Sequence, residues 1–212
     1  MRRHFFAATA ALAIATTSAC ALAFTQPSTK LDGVPSGVYK VDGSHTSVLF
    51  GISHLGFSSY HGRFNTVEGE VNFDPKAPEK SSVSITIPIA SIDTNHEELE
   101  AKLKKEDWFD AAKFPTATFK SSKVEKLSET KGRITGDLTL RGVTKPLVLD
   151  VTFNGAGANP FAKANVLGFS ATGSIKRSDF GLSNYMPAVG DAVSLTIELE
   201  VMQPQASPAD KK

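Results

Sequence analysis

The sequence predicts an all-β fold: an eight-stranded antiparallel barrel with a short helix between the third and fourth strands. Three observations predict it. Apolar and polar residues alternate with period two along most of the 212-residue chain, the mark of strands with one buried face. The links between the alternating runs are mostly short and carry Gly or Pro, as at Asp74-Pro75 and Arg141-Gly142. Such links suit antiparallel neighbours. Val, Ile and Thr are common and Phe reaches 14, a composition that leans toward strands.

In chain order, residues 1–23 read as a secretory signal peptide. Arg2 and Arg3 form a positive head, Phe5 to Ala15 is an uncharged apolar run, and Ala21-Leu22-Ala23 is a small-residue cleavage site. Cys20 is the only cysteine. As the lipid-modified first residue of a lipoprotein it would want Leu three positions earlier, where Thr17 stands. Cys20 is therefore read as leaving with the signal, and the protein as exported, to an envelope or extracellular location. Residues 24–36, with Pro27, Gly33 and Pro35, read as a flexible leader. Residues 203–212 read as a flexible tail. The folded unit is 37–202.

Within it, Val48, Phe50, Ile52 and His54 share one face, then Val67, Gly69, Val71 and Phe73. Val83, Ile85, Ile87 and Ile89 form the third set. Asn95 to Lys105 breaks the pattern: Leu99 and Leu103 lie four apart, with Glu early and Lys late. That order suits a helix and its dipole, and its apolar side is read as covering one barrel end or sheet face. A weaker strand surrounds Phe119. Ile134, Leu138 and Leu140 follow, then Leu147, Leu149, Val151 and Phe153. Leu167, Phe169, Ala171 and Ile175 precede Val193, Leu195, Ile197, Leu199 and Val201. Closing such a sheet removes its edges.

An eight-stranded barrel is filled by side chains or holds one small ligand. Periodicity alone leaves both open. Phe without the polar handles of Trp and Tyr would suit an alkyl or isoprenoid chain. The residues assigned to the lining are Phe50, Ile52, Val71, Phe73, Ile85, Ile87, Phe119, Leu138, Leu149, Phe169 and Leu195. His54, the one ionisable group on these faces, and Arg177 are assigned to the mouth, against a head group.

A formal charge of +1 argues against nucleic-acid binding. No segment reaches the roughly 20 apolar residues of a membrane span. One cysteine excludes an internal disulfide. His45, His54 and His61 have the wrong parity for one strand face, and no metal is assigned. Asp42 and His45 read as fixing a Gly-Ser turn, and Arg177 with Asp179 as an ion pair closing another. No nucleophile with its base, phosphate loop or dinucleotide fingerprint is present. No catalytic residue and no cofactor is assigned. An enzyme acting on lipid or quinone, and an envelope stress module with a filled core, are the alternative readings. An exposed barrel edge would let two copies pair.

Four motifs resemble the YceI-like family, the lipocalin-like polyisoprenoid-binding proteins of bacteria. They are Tyr39-Lys-Val-Asp-Gly-Ser-His-Thr46 continuing to Gly62-Arg63-Phe64; Ser91-Ile-Asp-Thr94 with Asp107-Trp-Phe-Asp110 and Lys113-Phe-Pro115; Gly136 to Pro146; and Ile175 to Gly181 with Val189-Gly-Asp191. The resemblance implies a lipocalin-like barrel with a long apolar tunnel. It also implies a long-chain isoprenoid lipid as partner, a quinone tail or polyprenyl phosphate, in the periplasm. Many members carry Arg-Asp-x-His in the helix, where this chain has Leu99-Glu100-Ala101-Lys102. Lys102 is accordingly given no role.

Overall fold

The computed structural model describes residues 26–204. The proposed signal peptide, Cys20 and residues 205–212 lie outside the described residues. The strands are β1 (Gly37–Val41), β2 (Ser47–His54), β3 (Ser58–Phe64), β4 (Glu68–Phe73), β5 (Ser82–Pro88) and β6 (Ile92–Asp93), then, after helix α1 (Glu97–Leu103), β7 (Thr116–Lys126), β8 (Lys131–Leu140), β9 (Val143–Asn159), β10 (Ala164–Lys176) and β11 (Val189–Pro204).

These segments make one closed antiparallel barrel of eight staves. The hydrogen-bonded order is β1-β4-β5-β7-β8-β9-β10-β11, and β1 pairs with β11 to close the ring. β2, β3 and β6 extend the first three staves beyond kinks. β11 shows how this works: Val201 and Met202 pair with β1, whereas Val193 to Glu198 pair with β2. In the gap, Asp42 N–H donates to the Glu200 carbonyl at 2.9 Å. The Thr46 hydroxyl lies 3.4 Å from that carbonyl and 3.3 Å from the Glu200 N–H. Around the ring the ladder edges are paired within the chain, whereas residues 58–62 of β3 keep an edge that no described strand pairs.

The eight staves and the helix after the third agree with the sequence reading. Periodicity does not predict β1 and β3. β1 is short. β3 places Gly62 at an inward position between Tyr60 and Phe64, which interrupts its apolar alternation. The helix is shorter than its predicted span. His96 Nδ1 accepts from Leu99 N–H and caps it, and the Glu100 carboxylate accepts from Thr94 N–H at 2.8 Å. Those contacts hold residues 94–96 outside the helix, as N-capping requires.

The leader needs correction. Ser28 exchanges backbone hydrogen bonds with Ala156 of β9 at 2.9 and 2.8 Å. Leu31 and Val34 pack on a buried cluster of Tyr39, Val71, Phe73, Phe153, Leu167 and Val201. Residues 28–34 are therefore laid across one barrel end, because an aromatic cluster there offers apolar area to cover. The last strand also runs to Pro204, two residues past the boundary read at 202.

Candidate functional site

The barrel encloses a cavity of about 530 Å³ with an almost wholly apolar wall. That volume lies within the ~300–1,000 Å³ of small-molecule sites. The wall is recognisable from burial alone. Phe50, Ile52, Ile85, Ile87, Leu138, Phe169 and Leu195 point inward yet are only half-buried, because they face open space. Val71, Phe73, Phe119 and Leu149 also border the cavity and are buried. All eleven residues assigned to a lining thus surround one space. The choice between filled core and cavity falls to the cavity.

The packed end is aromatic. Phe73 stacks on Phe153 with ring centroids 6.5 Å apart, and Phe169 meets Phe153 at 5.4 Å. Tyr39 packs edge-on against Phe73 and donates its hydroxyl to the Pro35 carbonyl at 2.7 Å. Phe73 and Phe169 therefore serve the core as well as the wall.

The other end is built from α1, the β2–β3 hairpin and the segment before β11. Leu99, Lys102 and Leu103 of α1 border the cavity with Trp108 and Tyr185. His54 is exposed at this rim. It pairs with Val189, whose N–H donates to the Tyr185 carbonyl at 2.8 Å. Lys102 Nζ donates to the Tyr185 hydroxyl at 2.9 Å and stands over both rings, 4.7 Å from the centre of Tyr185 and 5.6 Å from that of Trp108. Sequence reasoning misses this trio, since Tyr185 lies far along the chain from Lys102 and Trp108 and no helical or strand spacing links those two.

Arg177 borders the cavity, but four of its five N–H donors are spent on backbone carbonyls. Its Nε donates to Gly190 O at 2.7 Å, Nη1 to Leu182 O, and Nη2 to Asn184 O and Val189 O, each at 2.9 Å. The side chain is buried. Burial pulls the guanidinium below its ordinary pKa, and the Asp191 charge opposes that. The expected ion pair with Asp179 is not formed among the described residues. Asp191 instead accepts from the Ser178 N–H and hydroxyl, both at 2.9 Å. Five planar donors fit converging carbonyls better than one carboxylate. The head-group role expected of Arg177 gives way to that of a clamp on residues 182–190.

Asp42, His45 and Glu200 bring possible ligand atoms within 4.8 Å of one another. They lie at the β1–β2 kink. Asp42 accepts from Ser44 N–H at 3.0 Å and lies 2.7 Å from His45 Nδ1, as a turn-fixing pair does. Burial pushes the Asp42 carboxyl up, but hydrogen bonds from Ser44 and His45 outweigh it and hold it below its usual range. The hydrogen bond to Asp42, and then the charges of Asp42 and Glu200, raise the His45 pKa. His54 and His61 take no part in this group.

The architecture and the cavity define the class: a small antiparallel β-barrel with an apolar internal cavity and a polar rim at the helix end. Residues 39–201 match the model of the YceI-like domain, and the chain belongs to that family. It is 41% identical over 167 residues to protein YceI of Escherichia coli, covering 78% of this chain and 86% of the relative. BcnA of Burkholderia cenocepacia superposes with a TM-score of 0.68 at 28% identity, covering 76% of this chain and 98% of that one. A polyisoprenoid binding domain from Saccharophagus degradans, implicated in plant cell wall breakdown, shares the fold with a TM-score of 0.59 at 15% identity. That likeness covers 78% of this chain and 98% of the other.

Proposed function

We propose that the protein carries a long-chain isoprenoid lipid, its tail in the barrel cavity and its head at the α1 rim. One observation carries the reading: inward apolar side chains stay accessible around a space that none of the described residues fills. Burying a methylene contributes roughly 0.8 kcal/mol, so an apolar space large enough for a chain favours one. Ordering the chain offsets part of that gain. The name of the Saccharophagus degradans domain supports the same ligand class.

The reading is of a carrier rather than an enzyme, supported by a wall of Ile, Leu, Val and Phe without a nucleophile and its base. It places the protein in the periplasm, supported by the signal-peptide pattern over residues 1–23. Mass spectrometry of an organic extract, from protein purified without detergent out of a bacterial periplasm, tests the whole. A prenyl lipid near one per chain is expected. An empty extract, still empty after incubation with quinones and polyprenyl phosphates, removes the reading. Recovery of the protein only from the cytoplasm removes the location.

A further inference from the structure

Among the described residues, most exposed apolar side chains stand singly, as on any protein surface. Four gather at the α1 end, beside the cavity mouth. Leu55 (52% exposed) and Phe57 (89%) lie on the β2–β3 turn, and Tyr185 (61%) and Met186 (39%) in the segment before β11. The two loops are joined. Leu55 N–H donates to the Ala188 carbonyl at 2.7 Å, and Arg177 holds that segment through the Asn184 and Val189 carbonyls. Leu55, Phe57 and Met186 do not border the cavity, so its ligand does not account for them.

Turn formation does not account for them either. Phe57 N–H donates to the His54 carbonyl across Leu55 and Gly56, whose φ angles are 54° and 73°. Both are positive, as in a type I′ turn, whose first central position favours Asn, Asp or Gly. Leu stands there instead, at an energetic cost. Tyr185, with φ 60°, is left-handed too. Two large apolar residues of the tip thus sit in a backbone conformation that disfavours them.

Area, charge and topology together say what covers this tip. On the ~150–250 Å² scale of a whole aromatic side chain, the four residues expose on the order of 450 Å². A stable protein partner, a second copy included, needs ~800 Å² on each side. Residues 97–110, at the same end, carry six carboxylates against three lysines. That excess repels an anionic lipid surface and leaves a zwitterionic one open to apolar insertion. The barrel wall is hydrogen-bonded all round, so a lipid enters at an end, and the end opposite α1 is packed with aromatic rings.

We propose that Leu55, Phe57, Tyr185 and Met186 form a docking tip for a zwitterionic bilayer, which seats the cavity mouth on the membrane that holds the cargo. The inference rests on the carrier reading. So small a patch gives a weak contact, which lets a loaded carrier leave.

Cosedimentation with phosphatidylcholine vesicles free of isoprenoid measures docking by itself. The wild type should bind them, and bind more weakly where phosphatidylglycerol replaces about a third of the lipid, a loss that ~1 M salt removes. Leu55→Asn suits the turn. Combined with Phe57→Ser it should keep the fold and lower vesicle affinity at least about tenfold. Met186→Ser, in the other loop, should lower it about threefold and carries the test should the double variant not fold. Trp108, the only tryptophan, borders the cavity, so its emission follows titration with the prenyl probe geranylgeraniol without vesicles. That affinity should be unchanged in every variant. A wild type that ignores phosphatidylcholine vesicles while binding geranylgeraniol overturns the docking tip and leaves the carrier standing. Vesicle binding that survives all the substitutions, or that needs phosphatidylglycerol, overturns it as well. A dimer that the double variant dissociates in sedimentation equilibrium, without vesicle binding, gives the tip to a second copy and also overturns it. Failure of geranylgeraniol to bind removes the carrier reading and the loading role with it.

Discussion

The Phe50 ring lies over Gly62, its antiparallel partner on β3, so closely that a methyl group at Gly62 would stand 2.4 Å from Phe50 Cζ. Across β7 and β8 the Phe119 ring lies likewise over Gly136, the diagonal neighbour beside its partner Leu138, at 2.5 Å. In both places the missing side chain lets a ring lie along the wall. Inward glycines thus keep bulky residues from closing the lumen of a small barrel.

Gly62→Ala should therefore push Phe50 into the cavity. The Asp93 carbonyl, 3.0 Å from the same position, restricts any retreat of β3. Overpacking of this kind costs about 1–3 kcal/mol. Denaturant melts should show that loss, and prenyl-probe titration should show weaker uptake of long tails. A variant as stable and as receptive as the parent would mean that the ring swings aside freely.

The two rings also mark where the sequence stops informing. Alternation places Val193, Leu195, Ile197, Leu199 and Val201 on one face because a strand repeats every two residues, whatever surrounds it. The same rule finds the wall but cannot say whether the opposite wall is near. That depends on which partner lies across the sheet, and Gly62 is a partner, not a neighbour in sequence. The α1 rim is less legible still. Lys102 reads as the late basic residue of an amphipathic helix, and only the fold brings Trp108 and Tyr185 beneath it. Arg177 is misread because its acceptors are backbone carbonyls of residues 182–190, which carry no side-chain signature.

Leu195 pairs with Phe50 and is half-buried at the lumen. Leu195→Asp puts a carboxylate where a tail would lie. Binding of prenyl probes should fall below detection, because an unpaired charge resists desolvation. The fold should persist, since the space admits water when empty. Phe153→Ala, in the packed aromatic cluster, should show the opposite balance: about 3–5 kcal/mol of lost stability. Probe binding that survives Leu195→Asp would take that side chain out of the binding path.

Arg177→Ala orphans four carbonyls around a buried site, and a loss of about 3–5 kcal/mol is expected. Arg177→Lys should recover little, because one ammonium cannot reproduce the guanidinium fork. Hydrogen exchange should rise first across residues 182–190. Full recovery in the lysine variant would show that charge alone matters there.

Residues 28–36 should act as part of the barrel. A chain beginning at Gly37 loses the cover of Leu31 and Val34 and the Pro35 carbonyl that satisfies Tyr39. The combined cost should be about 2–4 kcal/mol. Tyr39→Phe should then cost less in the shortened chain than in the long one, since its hydroxyl already lacks a partner. Thermal melts of the four proteins measure the coupling, and additive effects would dissociate Tyr39 from the leader.

The Asp42–His45 pair gives stability a pH window. His45 is raised above its ordinary value of 6.5 by Asp42 and Glu200. Its contribution is complete below the unfolded-state pKa and fades as pH climbs through the raised folded value. Asp42 is held below 3.8, so its contribution is present above its unfolded-state pKa and fades as pH falls through the lowered folded value. Both act together between the two limits. His45→Gln should flatten the decline in melting temperature between about pH 6 and pH 8 while leaving most of the acid limb in place. Asp42→Asn should flatten both limbs, since it removes the partner that raises His45 as well as the carboxylate itself. Because the imidazole is exposed, added salt should shrink the effect. An unchanged alkaline slope in His45→Gln would locate the titrating group elsewhere.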